Sequence, residues 1–149
     1  MEITLEYGVC IFASILIAPY LHEGSHWLVV WLGGGKPKFN YIFWKLLPNS
    51  VNIREIENID PEIIRASGFA PLFWVPISII SWSYFLIELT PLYFLVALLP
   101  TGTLLMTTEA DALAFRDPEA FRRKAQNNKL ERNPLFVPNS CIPKWLPQV

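Results

Sequence analysis

Three long apolar runs restrict what this chain can fold into more than any other feature. Residues 7–32 carry one formal charge, Glu23, while residues 67–87 and 89–108 carry none. A helix needs roughly 20 mainly apolar residues to cross a hydrocarbon core, and each run reaches that length. Charged residues make up 17% of the 149-residue chain, against about 25% in an ordinary soluble domain. The expected fold is an all-α membrane protein of one domain, with three spanning helices at about residues 7–32, 67–87 and 89–110. The first run is not expected to be a cleaved signal peptide. The residues before it, Met1-Glu2-Ile3-Thr4-Leu5-Glu6, are acidic where an n-region is basic, and the run is too long.

Charge placement sets the expected orientation. All 12 Lys and Arg lie in two places: Lys36, Lys38, Lys45, Arg54 and Arg65 between the first two runs, and residues 116–144 at the far end. Three spans put both segments on one side, and the positive-inside rule makes that side cytoplasmic. A multi-pass protein with its amino terminus outside and its carboxyl terminus in the cytoplasm is expected. Cys10 lies in the first run and Cys141 in the tail, so neither a disulfide nor a cysteine metal site is expected.

Along the chain, Pro19 removes the hydrogen bond to the Ile15 carbonyl and should kink or loosen the first helix just before His22. Gly33-Gly34-Gly35 ends that helix. Residues 36–56 read as a small cytoplasmic β-hairpin, with Phe39, Tyr41 and Phe43 alternating with Asn40, Ile42 and Trp44 and a turn at Leu47-Pro48-Asn49-Ser50. An aromatic belt without strand pairing is the alternative, since Trp and Tyr collect at membrane interfaces. Asp60-Pro61-Glu62 has the form of a helix start, with Asp60 as cap and Pro61 at the first helical position. Residues 1–115 form the expected membrane core. Residues 116–149 form a tail in which Asp117-Pro118-Glu119 starts a brief basic helix and the Pro-rich remainder is extended.

The chemistry concentrates in His22-Glu23-Gly24-Ser25-His26, a His-Glu-x-x-His pattern holding both histidines of the chain. Helical residues four apart share a face, so both imidazoles can reach one zinc ion. Zinc lowers the pKa of the water it holds to about 7, and Glu23 stands beside it as the proton acceptor. Ionisable groups are costly inside a membrane span and mark function there. A catalytic zinc site takes three protein ligands, and with no further histidine the third must be a carboxylate. Glu88 falls at the outer turn, which leaves Glu109 and Asp111 at the cytoplasmic end of the third helix, with Glu55, Glu57 and Glu62 in the loop behind them. Two residues apart on one helix, Glu109 and Asp111 point about 200° apart, so only one can face the site.

His22 to His26 on a membrane helix, followed by Leu32-Gly33-Gly34-Gly35, a hairpin-like segment, Ser67-Gly68-Phe69-Ala70-Pro71 and an aspartate after the next helix, resembles the site-2 protease family of intramembrane zinc metalloproteases. The resemblance covers about residues 8–115, the three-helix catalytic core. It implies His22 and His26 as zinc ligands, Glu23 as general base and Asp111 as third ligand. Asp111 departs from the family pattern in being followed by Ala112 rather than glycine, with Pro100 far upstream. The expected activity is zinc-dependent hydrolysis of peptide bonds in membrane-anchored proteins or peptides, with the lipid bilayer as surroundings and no nucleic-acid partner. The alternative is a non-proteolytic three-helix membrane protein with a structural or vestigial zinc site.

Overall fold

The first apolar run forms one helix, α1 (Leu5–Leu32), which passes through Pro19 without interruption. The computed structural model describes residues 5–42 and 46–130. Strands β1 (Lys36–Ile42) and β2 (Leu47–Arg54) follow and pair antiparallel as the expected hairpin. A 3-10 turn at Ile56–Asn58 leads to α2 (Pro61–Phe69), capped by the Asp60 carboxylate, which accepts from the Glu62 amide at 2.8 Å. A further 3-10 turn, Ala70–Phe73, joins α2 to α3 (Trp74–Glu88). Then come α4 (Pro91–Leu105), α5 (Glu109–Arg116) and α6 (Pro118–Gln126). The described fold is mostly helical. Leu5–Leu32 and the helical run Pro61–Glu88 are long and apolar enough to cross a membrane; Pro91–Leu105 is apolar but shorter.

Two expectations about boundaries need correction. The stretch Leu47-Pro48-Asn49-Ser50 is not the hairpin turn but the first half of β2, with Tyr41 opposite Pro48. Proline lacks the donor a regular ladder needs, and the register shifts between Asn40 and Tyr41, where an irregularity tolerates it. The third apolar helix does not run to residue 110 either. It stops at Leu105, because Thr108 opens a new helix: its hydroxyl accepts from the Asp111 amide while the Asp111 carboxylate accepts from the Thr108 amide. That reciprocal capping box satisfies donors that a continuous helix would satisfy along its axis. The expected brief helix after Asp117 is present as α6, with the Asp117 carboxylate accepting from the Ala120 amide at 2.9 Å. The expected extended tail at 131–149 and the expected strand residues Phe43 and Trp44 lie outside the described residues.

In the packing, α4 touches both α1 and α3, α2 touches α1 and α5, and the hairpin lies on α1. Cys10, Ser14, Ala18, His22, His26 and Val30 recur every four residues on α1 and are buried, which makes a stripe of small and polar side chains on one face. The large apolar side chains point the other way: Phe12 is 64% exposed, and Ile79 and Leu86 on α3 are 63% and 69% exposed. Thr101 ties α3 to α4 by accepting from Trp82 Nε1 at 2.8 Å and sharing a hydrogen bond with Ser78 Oγ at 2.8 Å. Among the described residues, a cluster of buried apolar side chains lies beside the hairpin, where Ile56, Ile59, Ile64 and Ala114 pack together with Phe121 against them.

Close backbone approach fixes the position of α5. A Cβ on Gly68 would lie 2.6 Å from the Asp111 carbonyl oxygen and 2.6 Å from the Phe115 amide nitrogen. Those are backbone atoms and cannot swing aside, so α2 and α5 meet here only because residue 68 is glycine. Gly68→Ala should therefore destabilise the protein by about 1–3 kcal/mol, the usual cost of overpacking. Gly8→Ala, with nothing within 4 Å, should be neutral or stabilise by about 0.5–1 kcal/mol through helix propensity. Thermal unfolding of the two purified variants checks the contrast.

Candidate metal centre

His22 and His26 lie one turn apart on the buried face of α1, and their rings are held by the ends of two other helices. Thr103 is near the end of α4, where the last carbonyls lack helical donors. The amide that would serve it, that of Thr107, bonds to the Leu104 carbonyl instead. The freed Thr103 carbonyl accepts from His22 Nδ1 at 2.8 Å. Ser67 is near the end of α2, where its carbonyl accepts from the Ala70 amide and keeps a second lone pair. Four residues on stands Pro71, which has no N–H to give, and the Ser67 carbonyl accepts from His26 Nδ1 at 2.9 Å. Gly102 lets α4 come close enough for this: a Cβ there would sit 2.9 Å from the Ala18 Cβ.

A carbonyl oxygen can only accept, so both Nδ1 atoms carry the proton and each neutral ring presents a lone pair at Nε2. The two Nε2 atoms face each other at 3.2 Å. Asp111 completes the group, with Oδ1 3.3 Å from His26 Nε2 and Oδ2 3.7 Å from His22 Nε2. Three acceptors converging in a buried space repel one another unless a cation lies between them. Donors bound at about 2.0–2.2 Å in a tetrahedral shell stand roughly 3.3–3.6 Å apart, close to the spacings found. This group of His22, His26 and Asp111 could hold a metal ion.

Asp111 is itself positioned. Its Oδ2 accepts from the Thr108 amide at 2.7 Å and from Thr108 Oγ1 at 2.9 Å, leaving Oδ1 turned to His26. Hydrogen-bonded outer partners of this kind orient metal ligands and sharpen their basicity.

The three residues expected as ligands do come together, but Asp111 stands on a different element from the one expected. It belongs to α5 and not to the third apolar helix, so the capping box rather than a helical angle decides which carboxylate faces the histidines. Glu109, at the first position of α5, is not part of the group. Glu23 follows His22 on α1, is 8% exposed and lies near enough for its charge to act on the His22 ring. Thr108 holds the Asp111 carboxylate, while the buried Thr107 Oγ1 has no hydrogen-bond partner among the described residues. Sequence reasoning missed the two carbonyl acceptors, for which Pro71 four residues after Ser67 was the available signal. Comparison with protein-family models, curated proteins and solved structures finds no match to this chain.

The purified protein should carry about one metal ion per chain, measured by elemental analysis. Asp111→Asn should weaken metal binding by at least the roughly 10–100-fold that loss of an outer partner alone costs. Glu109→Gln should leave metal content unchanged. The reverse pattern would make Glu109 the ligand.

Proposed function

We propose that this protein is an intramembrane zinc metalloendopeptidase, similar to the site-2 protease family, that hydrolyses peptide bonds of membrane-anchored substrates. The observation that carries the reading is the convergence of His22 Nε2, His26 Nε2 and the Asp111 carboxylate beside a buried Glu23. Two imidazoles and one carboxylate form a donor set that suits zinc and leaves a fourth position for water. When bound, zinc supplies Lewis-acid activation of that water and of the scissile carbonyl. His22 and His26 keep their lone pairs aimed through the Thr103 and Ser67 carbonyls. Glu23 takes the proton from water and returns it to the leaving amine.

The bilayer location rests on the inside-out character of α1, whose buried stripe is small and polar while Phe12, Ile15 and Leu28 are exposed. In water such contiguous apolar surface invites aggregation; in lipid it is the stable arrangement, and small residues mediate the helix contacts. With α1, the run Pro61–Glu88 and α4 as spans, the hairpin, α5 and α6 stand at the cytoplasmic end and the amino terminus lies outside. A helical substrate must unwind before its amides can react. Strand β1 offers an edge with which an extended segment can pair. Its Phe39 stacks on Trp27, next to His26, with ring centroids 6.1 Å apart.

A second reading, a structural metal stapling α1 to α5, draws on the double duty of Asp111 as cap and ligand. A purely structural site has no use for a buried general base, and Glu23 separates the two. Glu23→Gln should keep the zinc and lose about 10²–10⁴-fold in turnover of a transmembrane peptide in nanodiscs. Unchanged turnover would leave only the structural role, and loss of zinc would put Glu23 among the ligands.

A further inference from the structure

Between the hairpin and α6 lies a cleft of about 680 Å3, within the roughly 300–1,000 Å3 of typical ligand sites. Its apolar floor includes Ile56 and Phe121. The side-chain amides of Asn49, Asn52 and Gln126 line it and make no hydrogen bond among the described residues. Among the described residues, the two charged ones that line it are both acidic, Glu55 and Glu57; the basic side chains of α6, Arg122, Arg123 and Lys124, do not line it. Glu55 meets Lys36 at 3.1 Å in a solvent-exposed pair, which holds the carboxylate weakly. Glu57 has no ion-pair partner among the described residues.

We infer that this cleft is a docking site for a short extended peptide rich in lysine and arginine, namely the cytoplasmic flank of the membrane-anchored substrate, an inference that rests on the function proposed above. Each amide offers both a donor and an acceptor, which matches the alternating N–H and C=O groups of an extended backbone better than it matches an apolar or anionic ligand. The acidic pair supplies charge complementarity. Membrane proteins carry their excess Lys and Arg on the cytoplasmic side of a span, the side to which the hairpin is assigned. Strand β1 runs between the two regions: Phe39 packs on Trp27, the residue after His26, and Asn40 to Ile42 line the cleft.

The test uses the full chain in nanodiscs and reads binding by fluorescence anisotropy, with short labelled peptides rich either in lysine and arginine or in glutamate. The basic peptide should bind at least about tenfold more tightly than the acidic one, a difference of about 1.4 kcal/mol. Combined Glu55→Lys and Glu57→Lys should remove most of that preference, while Glu62→Lys, outside the cleft on α2, should change it less than about threefold. Equal binding of both peptides, or equal loss with Glu62→Lys, overturns the proposal. Binding that appears only after removal of residues 131–149 assigns the cleft to the chain's own tail and also overturns it. A separate arm follows cleavage of transmembrane substrates with basic or acidic flanks, where the double variant should raise KM for the basic flank and leave kcat unchanged. Cleavage indifferent to the flank refutes the docking site alone; absent cleavage with intact basic-peptide binding refutes the peptidase reading and leaves the peptide site standing.

Discussion

Two hydrogen bonds organise the centre of this molecule: Nδ1 of His22 to the Thr103 carbonyl, and Nδ1 of His26 to the Ser67 carbonyl. Each uses a carbonyl at a helix end: that of Thr103, which the tightening of α4 at Leu104 leaves without its helical donor, and that of Ser67, which accepts from Ala70 but has no donor four residues on because Pro71 lacks an N–H. Together they select the tautomer of both rings and turn two lone pairs toward one point. The glycines at 68 and 102 serve the same end: Gly102 lets α4 bring its carbonyl close to α1, and Gly68 lets α5, which carries Asp111, close on α2. The position of the His22/His26/Asp111 group thus depends on where α2 and α4 stop and α5 begins as much as on the residues that would bind an ion.

That dependence explains what could be read beforehand. The His22/His26 pair was legible because four-residue spacing on a helix is a local property. The helical runs were legible because hydropathy reports them directly, and the Asp60 and Asp117 starts because capping residues act within one turn. Asp111 entered through resemblance; local spacing alone left it level with Glu109. The Thr108–Asp111 capping box that decides between them was written in the chain, but the apolar run before it suggested that the helix simply continued. Backbone carbonyl acceptors have no side-chain signature and become visible only when the tertiary contacts are known. The hairpin was foreseen, but its register was not, because Pro48 reads as a turn residue and a local irregularity in pairing lets it sit in a strand.

Apolar residues outside and polar residues within also separate two kinds of stability in one small chain. Near the hairpin, Ile56, Ile59 and Ile64 form a core of the ordinary hydrophobic kind. Along α1 and α4 the contacts are small-residue packing and hydrogen bonds such as Trp82 to Thr101, which stabilise helices where the surroundings are themselves apolar. The His22/His26/Asp111 group lies where these regions join, with side chains from α1 and α5. An ion held there would tie the apolar helices to the hairpin-side layer.

X-ray absorption at the zinc edge of the metal-loaded protein examines that junction directly. Coordination by His22, His26 and Asp111 predicts a shell of nitrogen and oxygen at about 2.0–2.2 Å, with outer scattering from two imidazoles that is lost in a variant lacking both histidines. A sulfur shell at about 2.3 Å, or a spectrum without imidazole scattering, would contradict it.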